Sequence, residues 1–487
     1  MSTDSRSTDP GSAPGRDAQA ALLRAVPAVG RLLASPEARE LLSEQPRQAV
    51  VNALRAATDA ARSQIASGAA VEMRDLAPGV FVAHARRLLE DAGRPSLRPV
   101  INATGVVIHT GLGRSVMSER AALAVYAVAR QYNNLEVDLQ TGKRGSRHAH
   151  VERILCEITG APAAAVFNNN AAATLLMLNA LADGREVIVS RGQLVEIGGS
   201  FRLPDVMARS GCRLVEVGTT NRTHLRDYEA AINENTAAIL RAHHSNYRII
   251  GFTTEPGAEE LAQLCRERGI AFLDDIGSGA LLDFSQFGLR QEPLVHDSVA
   301  AGANIVCFSG DKLLGGPQCG IILGDKEHVG AIKKNPLARA FRVGKMTIAA
   351  LEATLRSHAD PETAIREIPT LQIIAAPLSD IRSRARKLRA LVRQFAPPWV
   401  SVEMHEEAEA GRIGGGSLPE ETLPTVLLAL TPTREAPVSL DELTSRLRTG
   451  RPAVMARIHE GALQFDLRTV FPDQVKPLSE AIRGALT

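Results

Sequence analysis

The sequence predicts an α/β protein with a mostly parallel sheet of roughly seven strands. From residue 160 onward, short apolar runs alternate with stretches of helical periodicity such as AAATLLMLNALAD and PGAEELAQLCRERG. Runs that are apolar throughout are typical of strands buried on both faces by helices. The predicted strands lie in AAAVFNNN, EVIVSRG, RLVEVGTT, AAILRAHHS, IAFLDDIGSG, NIVCFSGDK and CGIILGD.

The regions on either side of this sheet predict two further domains. A chain of 487 residues is too long for a single core. Residues 1–76 form a predicted helical domain, within which residues 1 to about 18, rich in Ser, Gly, Pro and Asp, are predicted to be disordered. Residues 77–352 form the predicted large domain. Residues 353–487, with VSVEM, TVLLALTP and a terminal helix, form a predicted small α+β domain.

The composition excludes several classes of protein. A net charge of +2 leaves no basic field over the whole surface, so a polyanion would have to bind at a local patch. An aromatic content of 3% argues against a stacking platform for single-stranded nucleic acid. The five cysteines are scattered without a CxxC pair, the N-terminus does not resemble a signal peptide, and no metal site is predicted. We therefore expect a cytoplasmic protein that does not enter a membrane.

The segment NNNAAATLL, residues 168–176, follows a predicted strand and begins a predicted helix. Backbone N–H groups at such a start favour an anion, and the alanines allow it to approach closely. Taken alone, the asparagines are better explained by helix capping than by an anion site.

The segment FLDDIGSG places Asp274 and Asp275 at the end of another buried strand. Their side chains must point in opposite directions. One is expected to face the cleft and the other to meet solvent or cap a turn. Taken alone, capping explains both as well as chemistry does.

The segment FSGDKLLGG supplies Ser309 and, three residues later, Lys312. A desolvated lysine at a strand end has a lowered pKa and is suited to forming a Schiff base, although a surface lysine in a loop is the plain alternative. Together, the anion site, the aspartate and the lysine are the three groups that pyridoxal 5'-phosphate (PLP) requires. No P-loop, no G-x-G-x-x-G after a strand and no HExxH motif points to a competing chemistry.

With these residues in place, the chain from about residue 95 to its end resembles the bacterial selenocysteine synthase family, the L-seryl-tRNA(Sec) selenium transferases among the fold-type-I PLP enzymes. The stretches that carry the resemblance include RPVINATGVVIHTGLGR, NNLEVDLQTGKRGSRHAHVE, TGAPAAAVFNNNAAA, DDIGSGAL, FSGDKLLGGPQCGII and KKNPLARAFRVGKMT. Two positions depart from the expected strings: Gly111 replaces an asparagine in HTGLGR, and HHSN at 243–246 replaces an HTSN-like string.

The resemblance implies a role for each matching residue. The implied catalytic residues are Lys312, Asp275 and Asp311. The implied cofactor-binding residues are Lys312 (Schiff base), Asp275 (pyridine nitrogen), Asn169, Asn170, Ala171 and Ser309 (phosphate), and Arg147, which related enzymes direct across a dimer interface. The implied residues around selenophosphate are Arg114, Arg147, Arg339, Thr219 and Thr220, with Arg342 as an alternative to Arg339.

The resemblance also implies the substrates and the assembly. The expected reaction removes water from seryl-tRNA(Sec) and adds selenium from selenophosphate to the resulting aminoacrylyl group. The N-terminal helices, with Arg24, Arg31, Arg47 and Arg55, are expected to bind tRNA, although a role in assembly is the alternative. A homodecamer built from dimers is implied. The alternative function is that of a PLP lyase acting on a free amino acid or amino sugar acid, and a catalytically silent tRNA-binding protein is a third hypothesis.

Overall fold

The structure is a computed structural model that describes residues 16–198, 201–290 and 292–487. Its internal contacts divide the chain into two compact units, Met1–Arg98 and Pro99–Thr487. The stretch predicted to be disordered lies, up to residue 15, outside the described residues. The described chain begins in a helix at Arg16.

The first unit is helical over its described residues, as the periodicity predicts. Its longest helix buries Val50, Ala53, Leu54 and Ala57, which recur at the spacing of one helical face. The α-helices are α1 (Arg16–Ala25), α2 (Val29–Leu33), α3 (Pro36–Glu44), α4 (Arg47–Ala66) and α5 (Pro78–Ala92).

The first unit continues beyond residue 76, where the sequence analysis placed its end. Helix α5 buries Phe81, Val82 and Ala85 in the same apolar core as α4. Burying a side chain such as Phe81 contributes roughly 1.5–3 kcal/mol. The contact-based limit therefore falls at Arg98 rather than at residue 76.

The second unit contains the remaining helices and strands. Its α-helices are α6 (Glu119–Ala129), α7 (Ala149–Thr159), α8 (Asn170–Ala182), α9 (Leu203–Ser210), α10 (Leu225–Ala231), α11 (Ala258–Arg268), α12 (Val295–Ala300), α13 (Lys326–Lys334), α14 (Leu337–Ala340), α15 (Lys345–Ser357), α16 (Pro361–Glu367), α17 (Pro369–Ala375), α18 (Leu378–Arg393), α19 (Leu440–Thr449) and α20 (Val475–Leu486). Its strands are β1 (Val100–Asn102), β2 (Ala163–Phe167), β3 (Glu186–Ser190), β4 (Glu196–Ile197), β5 (Phe201–Arg202), β6 (Arg213–Val217), β7 (Thr236–Ala242), β8 (Ala271–Gly277), β9 (Ile305–Ser309), β10 (Gly320–Gly324), β11 (Val400–Arg412), β12 (Thr422–Pro432), β13 (Ala453–Met455), β14 (Arg457–His459) and β15 (Ala462–Asp466).

The main sheet confirms the predicted fold class. It has seven strands in the order β2-β10-β9-β8-β7-β3-β6, and each of the predicted apolar runs contains one of them. The neighbours from β9 to β6 are parallel, whereas β10 is antiparallel to both β2 and β9. The carboxyl ends of β7, β8 and β9 consequently meet at one edge, where polar residues follow each strand.

Both faces of this sheet are covered by helices, which explains its uniformly apolar strands. In β2, Ala163, Ala165 and Phe167 belong to the core that contains α8, whereas Ala164 and Val166 belong to the core that contains α7 and α15. Residues of alternating direction are thus all buried, as in other parallel sheets.

Strand β10 brings two chain turns together at the same edge. Its first residue, Gly320, pairs in register with Ser309 of β9 and with Phe167 of β2. A Cβ atom at Gly320 would lie 2.2 Å from the carbonyl oxygen of Asn169, so only glycine fits there. The turn after β9 and the turn before α8 are therefore in direct contact at this glycine.

The C-terminal part has the predicted α+β character. Strands β11, β12, β15 and β14 form an antiparallel sheet whose core includes residues of α18, α19 and α20. Strand β13 pairs in parallel with β1. The limit predicted between residues 352 and 353 falls inside α15, and the separation of a large from a small domain remains a prediction. Among the described residues, no helix is both long and apolar enough to cross a membrane.

Candidate active site

A cavity of about 560 Å³ opens at the carboxyl edge of the main sheet. Its volume is in the range of small-molecule sites, roughly 300–1,000 Å³. The ends of β7, β8 and β9, the start of α8 and a glycine segment after β11 supply its walls. The predicted site residues that line it are Arg114, Asn169, Asn170, Ala171, Asp275, Ser309, Asp311 and Lys312.

Lys312 lies in the turn that follows β9, and 6% of it is exposed. Burial lowers the pKa of its amine, because an ammonium loses its hydration there; the nearby carboxylate of Asp275 opposes this shift and the charge of Arg114 adds to it. Its Nζ donates to the carbonyl oxygen of Gly416 at 3.4 Å. A neutral amine is a nucleophile, so the site can form a bond from this nitrogen to an aldehyde carbon.

Asp275 ends β8 inside the same cavity and is held by three donors. Its Oδ1 accepts from Asn170 Nδ2 at 2.8 Å and from the backbone N–H of Gly277 at 3.1 Å, and its Oδ2 accepts from Thr174 Oγ1 at 2.9 Å. Burial nevertheless raises the pKa of its carboxyl. A buried carboxylate of this kind is stabilised by a cationic partner, such as a protonated ring nitrogen.

The structure corrects the expectation for the neighbouring Asp274. This side chain neither meets solvent nor caps a turn: only 1% of it is exposed, and it forms an ion pair with Arg241 on the opposite side of β8. The alternation of a strand places the two carboxylates on opposite faces, and here the face away from the cleft supplies an arginine.

The start of α8 combines capping with an anion site. Asn169 is the N-cap, and its Oδ1 accepts from the N–H of Ala172 at 2.8 Å. Asn170 turns its amide to Asp275 rather than outward. The backbone N–H groups of Asn170 and Ala171 come before the first intrahelical bonds, and both residues line the cavity. Backbone donors, more than asparagine side chains, are therefore the groups that this helix start offers to an anion.

Arg114 and Asp311 form an ion pair at the cavity wall. Arg114 Nη1 lies 2.7 Å from Asp311 Oδ2, and Asp311 is 5% exposed. Arg114 adopts a left-handed φ of 63°, which is uncommon outside glycine. Gly111 lies in a nearby 3-10 turn at Thr110–Leu112, and a Cβ atom there would be 3.4 Å from His109, so the space tolerates a side chain at this departure from the family string.

Four predicted residues lie outside the lining of this cavity. Arg147 donates to the carboxylate of Glu136 and to the carbonyl oxygen of Val343. The others are exposed. Arg339 lies in α14, and its alternative Arg342 lies just after that helix. Thr219 and Thr220 follow β6, the edge strand at one end of the sheet.

The sequence analysis missed several cavity residues. His243 and Ser245 follow β7, and burial lowers the pKa of His243 to about 4, so its ring is neutral at pH 7. Glu292 does not line the cavity but is buried beside it: it is 4% exposed, and its Oε2 lies 3.9 Å from His243 Nε2. Gly415 and Gly416 approach from the C-terminal region. The string HHSN at 243–246 could have indicated His243 and Ser245, because it resembles a family string. No local sequence pattern indicates Glu292, Gly415 or Gly416.

Three kinds of group in this cavity match the chemical groups of PLP. Lys312 offers an amine to an aldehyde, Asp275 a carboxylate to a ring nitrogen, and α8 backbone donors to a phosphate. Gly277 leaves the space beside the lysine open, since a Cβ atom there would be 4.0 Å from Lys312 Nζ. The three groups line one continuous cavity.

Comparisons with known proteins agree with this arrangement. The profile of the family described as L-seryl-tRNA selenium transferase matches residues 100–471, and that of the selenocysteine synthase N terminal region matches residues 23–62. The L-seryl-tRNA(Sec) selenium transferase of Geobacter sulfurreducens is 48% identical, over 94% of this chain and 98% of that protein. The one from Solidesulfovibrio magneticus is 49% identical, over 95% and 98%.

A solved structure supports the fold independently. The structure of D-glucosaminate-6-phosphate ammonia-lyase matches with a TM-score of 0.56 at 22% identity, covering 82% of this chain and 98% of that one. At this identity the likeness concerns the fold alone. The family profile and the relatives, by contrast, extend over most of the sequence. The chain belongs to the L-seryl-tRNA selenium transferase family.

Proposed function

We propose that this protein converts seryl-tRNA(Sec) to selenocysteinyl-tRNA(Sec) with PLP as cofactor and selenophosphate as selenium donor. The observation that carries the proposal is the meeting of Lys312, Asp275 and the start of α8 in one cavity. The family membership supplies the substrate class.

The residues that would hold PLP are those whose chemistry matches each of its groups. Lys312 binds the aldehyde, Asp275 faces the ring nitrogen, and the backbone of Asn170 and Ala171 binds the phosphate, with Asn169 and Ser309 beside it. Arg147 is bound to Glu136 and Val343 within its own chain. We assign it to the cofactor of a second copy, as the family resemblance implies.

When bound, PLP supplies an electron sink for the pair released from the substrate Cα–H bond. The chain supplies the proton transfers and the orientation. Lys312 Nζ would take the α-proton of the seryl group, and its lowered pKa makes the neutral, proton-accepting form more accessible than in an exposed lysine. The carboxylate of Asp275 would favour a protonated ring nitrogen through its negative charge. The β-hydroxyl would then leave as water with the proton that Lys312 Nζ carries, and the β-carbon of the remaining aminoacrylyl group accepts selenium.

The selenium donor is assigned to the arginines. The seryl carboxyl is esterified to tRNA and carries no charge, so Arg114 is available for a phosphate through paired hydrogen bonds. Arg114 is also held by Asp311, which orients it at the wall. Thr219, Thr220 and Arg339, or Arg342 in its place, are assigned to the same donor and would have to reach it from another copy or after a movement.

The helical unit is assigned to tRNA binding. Its residues Arg24, Arg31, Arg47 and Arg55 are exposed, and contact with tRNA is expected mainly at phosphates. We further propose a cytoplasmic homo-oligomer, at least a dimer and by family resemblance a homodecamer. The alternative of a lyase acting on a free amino acid is not favoured, because the transferase relatives match nearly the whole chain.

The test uses the full-length protein, a Lys312→Ala variant and a control, Lys334→Ala, at an exposed lysine of α13. Each is mixed with PLP, reduced with borohydride and mapped by peptide mass. Each is also incubated with seryl-tRNA(Sec) and selenophosphate, and the aminoacyl group is analysed. We expect labelling at position 312 and selenocysteine formation in the wild type and the control, with neither in Lys312→Ala. Turnover and PLP absorbance that persist in Lys312→Ala would refute the proposal.

A further inference from the structure

A run of three glycines, Gly414–Gly416, lies beside the cavity, and Gly415 and Gly416 line it. All three have left-handed φ angles, of 79°, 62° and 71°. A Cβ atom at Gly414, Gly415 or Gly416 would lie 2.5, 2.4 or 2.5 Å from its nearest neighbour, so no other residue fits. The main chain of Gly415 and Gly416 therefore forms this part of the wall, and the carbonyl oxygen of Gly416 meets Lys312.

One of these carbonyl groups meets the lysine. The oxygen of Gly416 accepts from Lys312 Nζ at 3.4 Å and from Ser245 Oγ at 3.0 Å. Ser245 is in turn fixed, because its N–H donates to His243 Nδ1 at 3.3 Å and its φ is 57°. The serine hydroxyl thus sets the position of the oxygen that receives the amine.

A second tether reaches the same segment from a buried carboxyl group. Glu292 is 4% exposed, and its Oε1 accepts from the N–H of Leu418 at 3.3 Å. A carboxyl group buried to this degree is costly unless it is bonded. Its bond goes to the segment that carries Gly416, two residues before Leu418.

We propose that Ser245 and Glu292 are positioning residues that hold the carbonyl oxygen of Gly416 against the Lys312 amine. An amine that donates to this oxygen directs its lone pair away from the glycine wall. The lysine is then oriented for attack before the cofactor arrives, and the same oxygen receives the amine whenever it is released. The inference rests on the proposed function only in taking Lys312 as the lysine that binds PLP.

The experiment measures the reactivity of the Lys312 amine rather than turnover. Full-length wild type and the variants Ser245→Ala, Glu292→Ala and Glu292→Gln are depleted of PLP. The rate of PLP capture is followed by absorbance, and acetylation of Lys312 by acetic anhydride is followed by peptide mass. Capture joins the lysine nitrogen to the aldehyde carbon and releases the aldehyde oxygen as water. Glu409→Ala, at an exposed position of β11, is the matched control.

We expect each alanine variant to slow both reactions about three- to tenfold, the range for loss of one orienting hydrogen bond. Glu292→Gln should stay within about twofold, since its amide oxygen still accepts from Leu418, and so should Glu409→Ala. If Glu292→Ala does not fold, Ser245→Ala carries the same test. Wild-type rates in the alanine variants would overturn the inference, and so would a lowered melting temperature with unchanged acetylation of Lys312. A wild type that fails to capture PLP at Lys312 would instead refute the proposed function.

Discussion

Removing the hydroxyl of Thr174 should weaken PLP binding without disturbing the fold. This residue is fully buried in α8, and its Oγ1 lies 2.9 Å from Asp275 Oδ2. A Thr174→Val substitution keeps the branched shape and removes the donor. Asp275 then retains its bonds from Asn170 and Gly277 only.

The magnitude follows from the charge of the acceptor. A hydrogen bond to a charged group contributes about 1.5–3 kcal/mol, and its loss raises the pKa of Asp275 further, because this bond favours the charged form. Burial already raises that pKa, so a further rise increases the fraction of Asp275 that is protonated and uncharged. The charged form is the one that pairs with the ring nitrogen. We therefore expect the dissociation constant for PLP to rise about ten- to hundredfold.

The assay is a titration of the PLP-depleted full-length chain with PLP, followed by absorbance. Thr354→Val is the control, because Thr354 is 1% exposed and its hydroxyl donates at 2.9 Å to the carbonyl oxygen of Ala350 in its own helix rather than to a carboxylate. A dissociation constant within about twofold of wild type for Thr174→Val would refute the reasoning. So would an equal loss in Thr354→Val, which would point to a general effect on packing.

Three further outcomes are expected. Arg114→Ala should raise the KM for selenophosphate at least about tenfold in steady-state assays, through loss of a charged donor, and a KM unchanged from wild type would contradict the assignment. Gly279→Ala should lower the melting temperature in a thermal scan, because Gly279 has a φ of 71° and a Cβ atom there would lie 2.6 Å from Phe308; Gly484→Ala, at an open helical position, should not. Burial lowers the pKa of His148 from 6.5 to about 4, so the folded protein binds fewer protons than the unfolded chain, and stability in urea should fall as pH falls from about 6.5 towards 4. His148→Asn should reduce that slope, and an equal slope in both proteins would contradict this.

The core of the site was predictable because its signals are local. The seven strands, Lys312 and Asp275 lie in short stretches whose apolar run and polar end can be read without tertiary knowledge. The alternation of side chains along a strand predicts that one of Asp274 and Asp275 faces the cleft, but not which one. Only the family string pointed to Asp275. The ion pair of Asp274 with Arg241 depends on the neighbouring strand β7 and could not be read from β8 alone.

Other parts of the site depend on contacts between distant segments. Glu292 and Gly416 are separated by more than a hundred residues, and nothing in their surroundings in sequence marks them as neighbours of Lys312. The end of the helical unit depends on a contact of the same kind, because α5 follows a loop and its assignment depends on which core buries Phe81. The functional roles of the arginines remain predictions.

The pairing of Gly320 with both Ser309 and Phe167 limits how the lysine can work. Lys312 lies in a ten-residue turn between β9 and β10, and both ends of this turn are held by the hydrogen bonds of the sheet. Across the turn, the N–H of Gly310 donates to the carbonyl oxygen of Cys319 at 2.9 Å. The carbonyl oxygen of Lys312 also accepts from Ser115 Oγ at 2.6 Å, so the backbone is held at the lysine as well as at the two ends of the turn. Rotation about the lysine's own side-chain bonds must therefore deliver the nitrogen to each successive target, and engineered changes of substrate are better sought in the other loops of this edge.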